Sequence, residues 1–294
     1  MGLGERLLAE GVARLGAKVL PASPEVLRPF GHIAALAVLL SGVRVLVERS
    51  LSGLEDRESA IEAAFDIPPP NPLVSGSLES SVEFSKLSRR GRRFVWTVTP
   101  TTAIRELVDE PAPRSPIRVY AGLESAATDT ERVRLIMDEL DRTHALDRSW
   151  LLVASPTGTG YVNYAATSVL EVLTRGDCAS VAMQYAARPS VLSLDRVREG
   201  RRQARLLIDA LSERLGSMPP ARRPKVVLFG ESLGAWTSQD PFVDRGTRGL
   251  VDAGIDHAIW IGTPHFSKWK EQVLHDQRPD VDEHLVRVCN SIEE

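Results

Sequence analysis

Residues 226–236, VVLFGESLGAW, join an unbroken apolar run to a segment that is compatible with a helix. Gly230 and Gly234 flank Ser232 in the pattern G-x-S-x-G, and glycine at both positions lets the backbone bend without side chains colliding. A helix that begins near Leu233 directs its first N–H groups toward the surroundings of the serine oxygen, where they favour negative charge. The stretch therefore predicts a sharp strand-to-helix turn that exposes Ser232 as a nucleophile, with a plain glycine-rich turn as the alternative.

The rest of the chain from about residue 116 onward alternates between short apolar runs and longer segments with helical periodicity. Unbroken apolar runs between helices are typical of parallel strands that are covered on both faces. We therefore expect an α/β fold with a doubly wound, mainly parallel sheet. The apolar runs are residues 117–123, 150–154, 179–185, 226–229 and 258–261, and the clearest helical segments are residues 130–144, 163–174 and 195–215.

A second glycine-rich loop, SPTGTGY, follows the predicted strand at residues 150–154. Ligands of open parallel sheets bind outside the carboxyl ends of the strands, where both glycine-rich segments are expected. We predict that Thr157 or Gly158 donates a backbone N–H that partners the N–H of Leu233 in an oxyanion hole beside Ser232. A purely structural turn is the alternative, whereas a phosphate-binding P-loop is disfavoured because no lysine follows.

Four stretches of the sequence resemble an actinobacterial family of membrane-associated α/β-hydrolases. They are IRVYAGLES, LLVASPTGTGYVN, VAMQYAARPSVLSL and VVLFGESLGAW. Members of that family join a transmembrane N-terminal domain to an α/β-hydrolase catalytic domain. The resemblance extends from about Pro70 to Glu294, and the apolar run at residues 32–47 is similar to the last span of the membrane domain. The resemblance thus implies an α/β-hydrolase type of sheet and an N-terminal helical, membrane-associated segment.

The first 50 residues form the first of three predicted domains. Leu7, Leu8, Val12, Leu15 and Val19 recur at helical spacing and predict an amphipathic helix. Residues 32–47, HIAALAVLLSGVRVLV, then predict a single membrane helix, or alternatively a buried or interfacial helix, because the run is slightly short for a span. We expect the protein to be associated with the cell membrane and to contact membrane lipid, on a side that the sequence does not decide.

Residues 51–115 form the second predicted domain, a proline-rich linker and lead-in. Its prolines, Pro68, Pro69, Pro70 and Pro72, favour extended chain. The basic run at residues 89–93, RRGRR, predicts a solvated turn or a contact with anionic lipid headgroups. The third predicted domain, residues 116–294, is an incomplete α/β-hydrolase catalytic domain.

Charge and composition exclude several classes of function. The formal net charge of −3 gives no indication of a nucleic-acid partner, whose binding requires concentrated lysine and arginine. Two cysteines are too few for a metal cluster or a disulfide framework by themselves. We therefore expect no metal and no cofactor. The serine motif, in contrast, predicts a small-molecule ester or lipid as the substrate.

A serine nucleophile needs a base and an orienting acid, which follow the serine in the order Asp or Glu, then His, in this fold. Only one clear strand, at residues 258–261, follows Ser232, so we expect the C-terminal strands of the family and the rest of its triad to be missing. His265 follows that strand on the correct edge and could act as the base, or could line the pocket or face solvent. Asp256 and His257 precede the same strand, and we expect them on the opposite edge.

Two functions follow from these patterns. The first is a serine hydrolase that acts on an ester or thioester of a lipid-like substrate through an acyl-enzyme at Ser232. The second is a truncated, non-catalytic relative, which would be a binding module or the product of a broken reading frame. Because no complete triad is evident, we expect simple esters to be hydrolysed poorly.

Overall fold

A computed structural model describes residues 62–108, 114–187 and 197–289 of the chain. The chain divides into two compact units, residues 1–56 and 57–294, and all described residues belong to the second. Its strands are β1 (Ile117–Ala121), β2 (Trp150–Ser155), β3 (Cys178–Met183), β4 (Lys225–Glu231) and β5 (His257–Ile261). Its α-helices are α1 (Arg89–Trp96), α2 (Thr101–Val108), α3 (Asp129–Arg142), α4 (Tyr164–Leu173), α5 (Val197–Ser217), α6 (Leu233–Gln239), α7 (Gly246–Asp252) and α8 (Lys268–Leu274).

The five strands form one parallel sheet in the order β1-β3-β2-β4-β5. The predicted parallel α/β architecture is therefore confirmed for this part of the chain. Strand β2 lies directly beside β4, with Ser155 opposite Gly230 in the register. This pairing brings the two glycine-rich segments of the sequence to neighbouring positions at the carboxyl edge of the sheet.

Two hydrophobic cores cover the two faces of the sheet, because successive strand residues point to opposite sides. Val153 and Leu228 belong to the core that includes residues from α3 and α5, while Ala154 and Phe229 belong to the core that includes residues from α1 and α4. The sheet is thus doubly wound, as the unbroken apolar strands predict.

The edge strand β5 is less covered than the other strands. Ile259 and Ile261 are each about half exposed, and His257 lies on the same exposed face, whereas Ala258 and Trp260 pack against the core that contains α5. Within the described residues, both faces of strands β1 to β4 are therefore covered, whereas one face of β5 is exposed.

The segment that precedes β1 packs against the sheet and supplies one of its two cores. Val74, Phe84 and Phe94 from this segment are buried beside strand residues. The solvated turn predicted for the basic run is wrong, because that run forms the first residues of helix α1, which Ser88 caps. Arg92 from the run is buried, and its guanidinium donates to the Leu87 carbonyl oxygen.

A buried ion pair joins this lead-in to the sheet. The Arg118 guanidinium in β1 donates to both carboxylate oxygens of Glu171 in α4, at 2.6 and 2.9 Å, and both side chains are almost fully buried. Arg118 also donates to the Phe94 carbonyl oxygen at 2.8 Å, and Glu171 accepts from the Thr99 N–H at 3.0 Å. The ion pair between Arg118 and Glu171 therefore connects β1 and α4 to the end of α1 and to the residues that directly follow α1.

Within the described ranges, no helix is both long and apolar enough to cross a membrane. The membrane helix predicted at residues 32–47 lies outside those ranges.

The Glu171→Ala variant should be strongly destabilised, because it leaves the Arg118 cation buried without its partner. We expect the free energy of unfolding in urea to fall by about 3–5 kcal/mol. The matched control is Asp141→Ala, which breaks the exposed pair with Arg214 and should cost less than about 1 kcal/mol. Equal losses in the two variants would contradict the importance of the buried pair.

Candidate active site

Ser232 occupies the turn between β4 and α6 with a left-handed backbone, at φ 54° and ψ −119°. Non-glycine residues adopt such angles rarely, and the strain is typical of functional turns. The Ser232 N–H donates to the Ile261 carbonyl oxygen of β5 at 2.9 Å, and the Ser232 carbonyl oxygen accepts from the Trp236 N–H at 3.2 Å. The predicted sharp turn is thus present, and its backbone is held from two sides.

The two glycines of the motif leave no room for a side chain. A Cβ atom on Gly230 would lie 2.7 Å from the backbone of Ala235, and one on Gly234 would lie 2.2 Å from the Ser155 carbonyl oxygen. The first contact allows helix α6 to turn back directly over β4. The second brings α6 against the end of β2, so the motif positions two loops and not only the serine.

The loop that follows β2 lies beside the turn that carries Ser232. In addition to the close approach at Gly234, the hydroxyl groups of Ser155 and Thr237 lie 2.9 Å apart and form a hydrogen bond. The two glycine-rich segments therefore meet at one edge of the sheet, as their positions after β2 and β4 predict.

The predicted oxyanion donors differ in what their N–H groups contact. The Thr157 N–H donates to the Tyr161 carbonyl oxygen at 2.9 Å, which closes the loop on itself, so it is already engaged. Gly158 and Leu233 make no such backbone bond within the described residues, and Leu233 is the first residue of helix α6. Of the two alternatives in the loop, Gly158 is therefore the one whose N–H donates to no backbone carbonyl among the described residues.

His265 lies in the loop after β5, exposed to solvent, with its ring 5.0 Å from that of Phe266. The Phe266 ring in turn contacts Trp236, one helical turn after Ser232, at 4.6 Å. Within the described residues His265 has no hydrogen bond or ion pair to a carboxylate. Asp256, by contrast, accepts from the Val226 N–H at the amino end of β4, on the opposite edge, as predicted.

The alpha/beta-hydrolase family profile matches residues 117–290, which is more than half of the chain. The chain belongs to the alpha/beta-hydrolase family. No curated protein and no solved structure matches it.

In this alpha/beta-hydrolase, two buried residues that the sequence did not predict hold the loop after β2 in place. The Tyr120 hydroxyl donates to the Gly160 carbonyl oxygen at 2.9 Å, and the Gln184 amide donates to the Thr159 carbonyl oxygen at 3.2 Å. Gly160 has φ +83° and no space for a Cβ atom beside Tyr120. Burial raises the pKa of Tyr120 far above its usual value, so this hydroxyl stays a donor.

A side-chain bridge also reaches the residue before the serine. The Asn163 amide donates to the Glu231 carboxylate at 3.1 Å, while the Asn163 carbonyl oxygen caps helix α4 by accepting from the Ala165 N–H. Asn163 therefore couples the start of α4 to the end of β4. The signal in the sequence was an asparagine directly before a helical segment, a common N-cap.

In the part of the chain that the structure describes, no three His, Cys, Asp or Glu side chains cluster closely enough to hold a metal ion.

Burial raises the pKa of the Cys178 thiol to about 12, so this cysteine is protonated at neutral pH and is not a competing nucleophile.

The Gly234→Ala variant should disrupt the site, since the added methyl group would collide with the Ser155 carbonyl oxygen. We expect the free energy of unfolding to fall by about 2 kcal/mol or more, as for other forced overpacking. The control is Gly216→Ala, whose added Cβ would meet nothing within 4 Å and which should change stability by no more than about 1 kcal/mol. Chemical denaturation compares the two, and an unaffected Gly234→Ala protein would contradict the close packing.

Proposed function

We propose that this alpha/beta-hydrolase cleaves an ester or thioester through an acyl-enzyme at Ser232. The observation that carries the proposal is the strained backbone of Ser232, directly beside the free N–H of Leu233 and the loop of Gly158. Membership of the family supports hydrolase activity in general. The serine acyl-enzyme goes further than the family match and rests on this arrangement.

In the proposed reaction, the Ser232 Oγ atom attacks the carbonyl carbon and its proton passes to a base. The negative oxygen of the tetrahedral intermediate accepts from the N–H groups of Leu233 and Gly158. The bond to the leaving alcohol or thiol then breaks, and the leaving group takes up the proton. Water hydrolyses the acyl-serine, which releases a carboxylic acid and restores the serine hydroxyl.

His265 is the candidate base at this edge of the sheet. Its exposure and its lack of a carboxylate partner among the described residues predict weak catalysis, because a histidine without an orienting carboxylate loses roughly 10⁴-fold in rate. The same observation favours the second candidate function, in which the fold binds a ligand without chemistry at Ser232.

Labelling with a fluorophosphonate probe distinguishes the two functions. We expect slow covalent labelling of the chain at Ser232, located by peptide mass spectrometry, and none in Ser232→Ala, because the probe requires an activated serine. An unlabelled wild-type chain that is folded by circular dichroism would favour the non-catalytic function.

The His265→Ala variant tests the base. Since the side chain faces solvent without a carboxylate partner, we expect the labelling rate to change less than about twofold, well below the 10²- to 10⁴-fold that general-base catalysis supplies. A loss of labelling comparable to that of Ser232→Ala would instead assign the base role to His265.

We also propose that the protein acts at the cell membrane on a lipid-like substrate, with the apolar run at residues 32–47 as its attachment. Deleting residues 1–60 should then move the chain from the membrane fraction to the supernatant after ultracentrifugation. The matched control deletes residues 1–31 alone and retains the apolar run at residues 32–47. An unchanged distribution of the longer deletion would contradict this attachment.

A further inference from the structure

We infer that a groove beside the Ser232 turn binds the phosphoryl group of an anionic ester substrate. The groove has a volume of about 500 Å³, and the side chains that line it include Arg198, Arg201, Arg202, Arg205, Trp236 and Asp240. The four arginines occur at spacings of three and four residues, so they share one face of α5. This inference rests on the proposed function and adds a substrate class to it.

The groove lies close to Ser232 because the first turn of α5 packs against the second half of the short helix α6. A Cβ atom on Gly200 would lie 2.8 Å from the Thr237 side chain, so the two helices are in close contact. The guanidinium of Arg201 stacks over the Trp236 ring at 4.3 Å, and that of Arg205 lies 3.3 Å from Asp240. Trp236 follows Ser232 by four residues, or about 6 Å along the helix axis.

Two side-chain contacts place the row of arginines beside helix α6 and the residue that follows it. Arg201 contacts Trp236 and Arg205 contacts Asp240, and each pair is separated by the same number of positions along the chain. Arg198 lies one helical turn before Arg201, toward the start of α5.

Positive charge is in excess in this groove. Asp240 is the single carboxylate among the described residues that line it, and it is shared by Arg201 at 3.2 Å and by Arg205. Arg202 pairs with Asp129 outside the lining. Arg198 is exposed and has no ion pair within the described residues. The neighbouring acid, Glu199, does not line the groove.

The ligand class follows from this excess. The four guanidinium groups share two carboxylates, Asp240 and Asp129, among the described residues, and this excess favours a group with more than one negative charge and several oxygen atoms. A phosphoryl group fits that description better than a single carboxylate, and guanidinium groups bind it through paired N–H donors. With its phosphoryl group in the groove, an ester bond one or two helical turns away, roughly 6–12 Å, would lie at Ser232.

Calorimetric titration of the full chain with inorganic phosphate, in a low-salt amine buffer, tests the site separately from catalysis. We expect the wild type and Ser232→Ala to bind phosphate equally. The exposed double variant Arg198→Gln/Arg205→Gln should bind at least about tenfold more weakly. The matched control is Arg214→Gln at the other end of α5, which should bind within twofold of the wild type. Equal binding by the double variant and the wild type would overturn the site, and acetate binding as tightly as phosphate would overturn the phosphoryl class.

Hydrolysis of short-chain lipids then tests the substrate class. Dihexanoylphosphatidate should have a higher kcat/KM than dihexanoylglycerol, and the double variant should raise KM for the first while leaving the second unchanged. Phosphatidate that binds no more tightly than inorganic phosphate would assign the groove to free phosphate and overturn the substrate. A wild-type chain that hydrolyses neither lipid but loses phosphate binding in the double variant would refute the proposed hydrolysis while keeping the anion site.

Discussion

The close approach of Gly234 to the carbonyl oxygen of Ser155 is the constraint on which the arrangement of the site depends. A Cβ atom at Gly234 would lie 2.2 Å from that oxygen, which is far inside van der Waals contact, so helix α6 rests directly on the end of β2. This contact fixes where the strained Ser232 turn lies relative to the loop that carries Gly158. The hydrogen bond between Ser155 and Thr237 reinforces it with side chains from the same two elements.

The strain at Ser232 is supported by structure that lies far from it in the chain. The Ile261 carbonyl oxygen of β5 accepts from the serine N–H, and Tyr120 from β1 holds the neighbouring loop at Gly160. Tyr120 belongs to strand β1, whose residues are all buried, so close packing holds its hydroxyl in position. A local conformation that costs energy is thus stabilised by packing from both sides of the sheet.

Arginine side chains have different consequences in two places of the described structure. The pair between Arg118 and Glu171 is enclosed by protein and satisfied by further hydrogen bonds, which makes it a connection between the lead-in and the sheet. The arginines on α5 remain partly exposed and share few carboxylates, so their charge is available to a ligand. Guanidinium groups thus connect the lead-in to the sheet at one face and, on α5, carry the charge on which the proposed anion site near Ser232 rests.

The sequence by itself determined the parallel sheet, the position of the turn at Ser232 and the adjacency of the two glycine-rich loops. The sheet and the turn follow from local patterns, since apolar runs and glycine spacing each act over a few residues, whereas the adjacency of the loops follows from the strand order of this fold. The tertiary structure decided that the Thr157 N–H donates to Tyr161 while the Gly158 N–H donates to no backbone carbonyl among the described residues, and that Arg201 lies over Trp236. Such pairings depend on which distant segments pack together, and neither residue of a pair carries a local signal of its partner. The basic run before β1 is the same case, since burial of Arg92 becomes evident only once α1 packs against the sheet.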